Sequence, residues 1–316
     1  MENRSHPRSW QLLLAFAIIY FVWGSTFLAI RVGVREVPPF LLAGMRFLIA
    51  GIVLYGWMRV KGTPSPSMRE WGAAVLVAVP IFVLDYGGVF WAERRVPSGI
   101  TAVMMATIPA FMTLSEVFIL KTQRLTLRLA GALVVGLAGV AVLVSPTAGF
   151  GETPIDRAGA GALLVAAIGW SIGSALTRKV PLPAQKAMSS AAQMFAGGVL
   201  LTLTAGVAGE FRGFRPQAVS MRAWFALAYL IVAGSIVAFT AYVWLIHHES
   251  PAKVGTYAYV NPVVAVVLGY FLGGETIGPR TIAGTLLVLV SVVVITTVPK
   301  IAASTPINDV AELAEE

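Results

Sequence analysis

The stretch Trp23-Gly24-Ser25-Thr26-Phe27-Leu28-Ala29-Ile30-Arg31 returns further along as Trp170-Ser171-Ile172-Gly173-Ser174-Ala175-Leu176-Thr177-Arg178, with tryptophan and arginine again eight residues apart. Working outward, Gly51 is answered by Gly198 and Arg46 by Gln193, about 147 residues on. Past the longer connection Gly206 to Arg222 the offset becomes about 153, and Trp71, Trp91, Pro109 and Gly131 meet Trp224, Trp244, Pro262 and Gly284. The chain reads as one set of five apolar helices written twice. An odd number of spans per copy forces the copies into opposite orientations across a bilayer. Secondary transporters built this way place the substrate site between the repeats, near the midplane.

Hydrophobic residues make up 57% of the chain and charged residues 12%, with a mean hydropathy of +0.81, outside the range of soluble domains. Runs at 11–30, 38–58, 71–91, 98–120, 128–145, 158–178, 184–208, 223–246, 252–272 and 280–298 approach the ~20 apolar residues that a spanning helix needs. The expected fold is an all-α membrane protein of ten transmembrane helices in two inverted five-helix repeats. Its parts are an N-terminal segment 1–10, a first repeat 11–146, a loop 147–157, a second repeat 158–298 and a tail 299–316. Continuous apolar runs exclude the alternating pattern of a β-barrel. The net charge of +8 sits singly or in pairs at helix ends, so the expected partner is the lipid bilayer and not nucleic acid. More basic residues, Arg4, Arg8, Arg59 and Lys61 among them, fall on the side of the N-terminus, which places both termini in the cytoplasm. The first run has no small-residue cleavage signal and is read as a retained span. With no cysteine there are no disulfides and no thiolate metal sites.

Polar groups at bilayer depth are costly and mark function. Arg46 lies eight residues into the second span, where an arginine costs about 2.5–3.5 kcal/mol on insertion scales. It is read either as lining a wet cavity that attracts an anionic group, or as a strut paired with Asp85. Asp85 is also the candidate coupling carboxylate for a proton. Glu116, near the inner end of span four, is read as cheaply solvated. Pro109 and Pro262 reach the same depth in spans four and nine, and each frees a carbonyl one turn earlier, predicting a matched midplane kink for gating. Met105, Thr107 and Asn261 lie beside these breaks. Trp23, Ser25, Thr26, Tyr86, Trp170, Ser174, Gln193, Tyr242 and Tyr257 complete the candidate substrate-binding wall. The tryptophans sit too deep for an interfacial belt, and an indole N–H needs an acceptor. The competing reading gives small residues to helix packing and aromatics to lipid-facing gaps. The aliphatic spans five and ten are expected as scaffold or as a homodimer contact. No catalytic residue, metal or cofactor is expected. There is no His-Glu-x-x-His helix, Gly-x-Ser-x-Gly elbow, Walker A loop or filter motif, so enzyme, pump and channel rank behind a transporter.

The run Trp23 to Arg31, the pair Arg46-Phe47, the break at Pro109, Asn261-Pro262 and the Gly274-Glu275 close of span nine resemble the drug/metabolite transporter superfamily. Within it they are most similar to the EamA branch of bacterial inner-membrane permeases. That resemblance implies ten helices with both termini cytoplasmic, and spans one to four and six to nine around a central cavity. It implies export of a small-molecule substrate, such as an amino acid, by alternating access. Alternatives are a carrier or exchanger of anionic or sugar-type metabolites, or of drugs. The chain departs from the pattern at Lys121-Thr122, which stands where the second repeat has Gly-Glu.

Overall fold

The computed structural model describes residues 8–118, 124–145, 155–249, 254 and 256–297, and all regular structure among them is helical. Lys121-Thr122, most of the loop 147–157, the tail 299–316 and residues 1–7 of the N-terminal segment lie outside the described residues. The long helices are α1 Ser9–Val34, α2 Pro39–Val60, α3 Met68–Ala92, α4 Ser98–Phe118, α5 Leu127–Val144, α6 Arg157–Leu176, α7 Lys186–Val207, α8 Met221–Tyr242, α9 Tyr257–Gly273 and α10 Pro279–Thr297. Among the described residues nine of these are long and apolar enough to cross a membrane, and α9 is shorter. Helix α8 continues in phase to His248.

Local sequence explains the helix ends. Ser67, Thr126, Asp156 and Ser220 each accept a bond from the backbone N–H three residues on, opening α3, α5, α6 and α8. Pro39 starts α2, where its missing N–H costs nothing. Gly274, at φ +66°, closes α9 in the left-handed conformation that favours glycine.

Helices α2 and α7 run antiparallel, with Gly44 opposite Thr202, Gly51 opposite Phe195 and Gly198 opposite Leu48. A β-carbon on Gly51 would stand 2.5 Å from the Phe195 nitrogen, and one on Gly198 would strike the Leu48 main chain. These two contacts are images of each other at the offset of the repeat. Helices α5 and α10 pair likewise, with Gly139 against Val288 and Gly284 against Leu143. The Ser291 hydroxyl donates to the Ala132 carbonyl at 2.6 Å across that seam. The remaining packing is matched as well: α3 meets α6 as α8 meets α1, and α4 meets α6 as α9 meets α1.

The helices are not uniform. Val79–Tyr86 in α3 and Leu230–Val237 in α8 are wound as π-helix, as is Ile18–Val22 in α1. Such wide turns are frequent at functional sites. Helix α4 breaks at Ala106-Thr107, one turn before Pro109, and the Thr107 hydroxyl donates to the Met104 carbonyl at 2.7 Å. The expected matched kink differs in α9, which runs unbroken through Pro262. Because α9 starts at Tyr257, Pro262 falls in its second turn and forfeits only the bond to Ala258.

The glycine contacts predict a specific sensitivity. Gly198→Ala should cost about 1–3 kcal/mol by overpacking, whereas Gly72→Ala, with nothing within 4 Å of the added carbon, should be neutral or better. Melting of the two variants in detergent checks this; equal melting would remove the close contact.

Candidate functional site

Arg46 is 3% exposed on α2. Its Nε donates to the Ser235 hydroxyl at 3.0 Å, and that hydroxyl donates onward to the Leu230 carbonyl at 3.0 Å, five residues back in the π-helical stretch of α8. The guanidinium carbon lies 4.7 Å from the Phe47 ring centroid, 5.5 Å from Tyr86 and 6.0 Å from Phe90. Its Nη1 is buried with no hydrogen-bond partner. A guanidinium steadied by rings, with an N–H pair left over, can take an anionic oxygen.

The cluster extends through Gly234. Trp23 Nε1 donates to the Gly234 carbonyl at 3.2 Å, and a β-carbon at Gly234 would meet both the Thr26 methyl and the Arg46 guanidinium. Trp23 packs on Tyr257 at 5.0 Å and on Tyr242 at 5.3 Å. Tyr86 packs on Phe47 at 4.4 Å and on Trp170 at 6.0 Å. Asn261, with its amide nitrogen turned to them, donates to the Tyr20 and Tyr257 carbonyls at 3.0 and 3.2 Å. Met105 is buried in the same core as Phe47, Phe82 and Phe90. The structure therefore gathers Trp23, Thr26, Arg46, Tyr86, Trp170, Tyr242, Tyr257 and Asn261 about the π-helical turn of α8.

Other expected residues lie elsewhere. Ser25, two residues and so about 200° round the helix from Trp23, bonds the Tyr229 hydroxyl at 2.6 Å. Ser174 lines a narrow cleft with Ser115, Glu116, Ser171 and Arg178. Thr107 lines a small apolar cleft between α4, α5 and α10. Gln193 folds back on Ser189, with its amide on that hydroxyl at 3.0 Å, and does not stand in for Arg46. Asp85 is not the partner of Arg46: the two form no ion pair among the described residues, and Asp85 Oδ1 is buried without a hydrogen bond. Glu116 is buried rather than solvated and faces Arg178 Nη1 at 3.4 Å. Gly234 and Ser235 were not singled out by sequence reasoning, although Ser235 is the one hydroxyl in Leu230–Val237.

The end of the bundle that holds Arg31 is tied across the two repeats by carboxylates at helix N-termini. Glu275 accepts Ser98 N at 2.6 Å, Ser98 Oγ at 2.7 Å and Gly99 N at 3.0 Å, at the start of α4. Glu210 accepts Leu41 N at 2.8 Å at the start of α2. Glu36 accepts Ser220 N at 2.6 Å and Ser220 Oγ at 2.7 Å at the start of α8. Arg31 adds bonds to the Glu93 and Val96 carbonyls, with its Nε 3.9 Å from Glu275. At the other end Arg178, the repeat counterpart of Arg31, meets Glu116, and Ser115 bonds Ser171 at 2.7 Å. The bonds from Ser220 hold the Glu36 carboxyl below its ordinary range. Burial pushes Glu210 up, against the bonds from Leu41 and Phe40.

The EamA-like transporter family model matches residues 9–145 and again 157–297. The chain is 40% identical over 265 residues to the uncharacterized inner membrane transporter YedA of Escherichia coli K12, covering 83% of each chain. It is 25% identical to protein PecM of Dickeya dadantii, covering 87% of this chain and 88% of that one. A solved crystal structure at 24% identity superposes with a TM-score of 0.59 over 91% of this chain and 96% of the other, a likeness of fold.

Two outcomes follow from this geometry. In a melting cycle, Arg46→Gln and Asp85→Asn should add to within about 0.3–0.5 kcal/mol, while Arg46→Gln and Ser235→Ala should couple by more than that. Coupling to Asp85 instead would restore the strut. Because the folded Glu36 carboxyl is depressed, the stability it lends is present above the unfolded value and lost as pH falls through the folded one. Acid should therefore lower the melting of wild type more than that of Glu36→Gln.

Proposed function

Because the chain belongs to the EamA-like transporter family, we propose that it is a secondary transporter exporting a small organic metabolite, such as an amino acid, by alternating access. Arg46 carries this reading: its buried, unpartnered Nη1 stands on a guanidinium flanked by Phe47, Tyr86 and Phe90 of the first repeat, with Trp170 of the second repeat packed on Tyr86. An arginine at that depth persists where it is offset by an anionic partner. Rings on the remaining walls suit the apolar part of an amphipathic solute. In the same reading all ten helices span, α9 included, and the two repeats are inverted. The antiparallel pairs α2/α7 and α5/α10 support that inversion. Both termini are assigned to the cytoplasmic face of a bacterial inner membrane, a location supported by the name of the Escherichia coli relative.

Alternating access needs a closure at each end. The Arg31–Glu275 and Arg178–Glu116 pairs, each joining the two repeats, fill that role. Pro109, Pro262 and the π-helical stretches serve as joints. Asp85 is assigned to the joint of α3, where its backbone nitrogen lies 3.4 Å from a β-carbon placed on Gly169 of α6. The outer faces of α5 and α10, with Val134, Leu137 and Leu286 exposed, are assigned to lipid or to a second copy. A carrier of anionic or sugar-type metabolites is the second reading, favoured by the charge of Arg46.

Counterflow in proteoliposomes, run over a panel of amino acids and sugar phosphates, tests the proposal. Wild type should exchange a carboxylate- or phosphate-bearing solute saturably. Arg46→Gln should lose about ten- to a hundred-fold in affinity, the value of one charge-assisted hydrogen bond. Arg46→Lys should keep part of it, since the charge survives while the fork is lost. Unchanged affinity in Arg46→Gln would take the binding role from this residue.

A further inference from the structure

At the Arg31 end one guanidinium stands between two carboxylates, and only one of them is satisfied. Glu275 has its three bonds from the start of α4. Glu93 is 0% exposed, and neither of its carboxyl oxygens has a hydrogen-bond partner. Arg31 lies across its main chain, bonding the Glu93 and Val96 carbonyls, with its Nε toward Glu275. The other charges nearby are engaged elsewhere or lie outside. Arg95 stacks on Trp91 at 4.0 Å and lies 4.0 Å from Asp156, Arg94 acts on Glu210, and Arg35 is exposed just past the end of α1. One turn along α4, Thr101 is buried with its hydroxyl unpartnered. Burial pushes the Glu93 carboxyl well above the ordinary range; Arg31 draws it back and Glu275 pushes it further up. A buried carboxylate with no donor is expensive, and such groups stay neutral.

We propose that Glu93 is a proton-binding site that governs the seal at this end. With the proton on Glu93, the charge of Arg31 serves Glu275 alone, and the close of α9 stays capped onto the start of α4. When water at that face takes the proton from the carboxyl oxygen, two anions compete for one guanidinium. Arg31 turns to Glu93, Glu275 is released, and the end opens. The O–H of Glu93 is the one covalent bond broken, its proton passing to water; the rest of the change is the loss of the hydrogen bonds that hold Glu275 to Ser98 and Gly99 and Arg31 to the Glu93 and Val96 carbonyls. One proton is thus tied to each opening, which deepens the transporter reading above and rests on it for the need to open at all. Asp85 has no cation to compete for, so its titration would switch nothing.

The chain contains no cysteine, so one introduced thiol reports cleanly. Thr101→Cys places it beneath the seal, and Arg212→Cys, on an exposed loop, corrects for the pH dependence of thiol chemistry. In the full-length protein, labelling by a membrane-impermeant maleimide, taken as the ratio of these two, should rise as the pH is raised above the ordinary carboxylate range. The limit for release of one proton is about tenfold per pH unit. Adding Glu93→Gln, which copies the protonated carboxyl, should leave the ratio low and flat. Glu93→Asp should keep the rise, and Glu275→Gln should give fast labelling at every pH because Arg31 has lost its counterpart. An unchanged rise with Glu93→Gln, a flat profile with Glu93 intact, or slow labelling with Glu275→Gln would each overturn the proposal. No substrate is used. Failure of counterflow would thus strike only the transport reading, and failure of this labelling only the role of Glu93.

Discussion

The backbones of α2 and α7 touch at Gly51 and Gly198, and the rest of the molecule is arranged around that contact. Lipid offers no hydrophobic drive between helices, so association relies on close packing at small residues. Two glycines facing each other's neighbours, Phe195 and Leu48, bring the helices together and fix their crossing point on the approximate twofold of the repeat. Arg46 lies five residues before Gly51, about 140° round the helix. With the glycine face committed to α7, the arginine has to point toward α3 and α8, and its contacts with Tyr86 and Ser235 follow.

Much of this was legible in the sequence, because it rests on spacing. The repeat offset aligned Trp23 with Trp170 and Gly51 with Gly198, and the charge of Arg46 marked the buried aromatic cluster by its cost alone. What was not legible depends on helix phase and winding. Hydropathy does not reveal a π-helical turn, so Ser235 and Gly234 passed as part of an aliphatic run. Nor does it say which way two neighbouring helices face each other, and the pairing of Arg46 with Asp85 failed on that point. Glu93 was not singled out in the sequence; it is buried beside Arg31, a residue from a distant part of the chain that bonds its carbonyl. Bonds between loops and helix starts of different repeats leave no periodic trace.

The glutamates at the Arg31 end solve two problems at once. The first N–H groups of a helix lack partners within it and carry a partial positive charge. Glu36, Glu210 and Glu275 satisfy those groups on helices of the other repeat, so the same bonds that cap α8, α2 and α4 also hold the two halves together. The glycine at position 269 makes the third of these sterically feasible, since any side chain there would collide with the Glu275 carboxyl.

Among the described residues the ends are closed by different chemistry: three carboxylate caps and Arg31 at one, the Arg178–Glu116 pair, the Ser115–Ser171 hydroxyls and the Thr63–Gln185 bond at the other. A two-state molecule with unequal closures does not visit its two openings equally often. The apparent affinity at each face is the intrinsic affinity scaled by the population open to that face, and each 1.4 kcal/mol of bias is about a tenfold difference. Under the transport reading proposed above, a solute would be captured at lower concentration from the face whose closure is the weaker. Such a molecule acts as a rectifier of binding even before any gradient is applied.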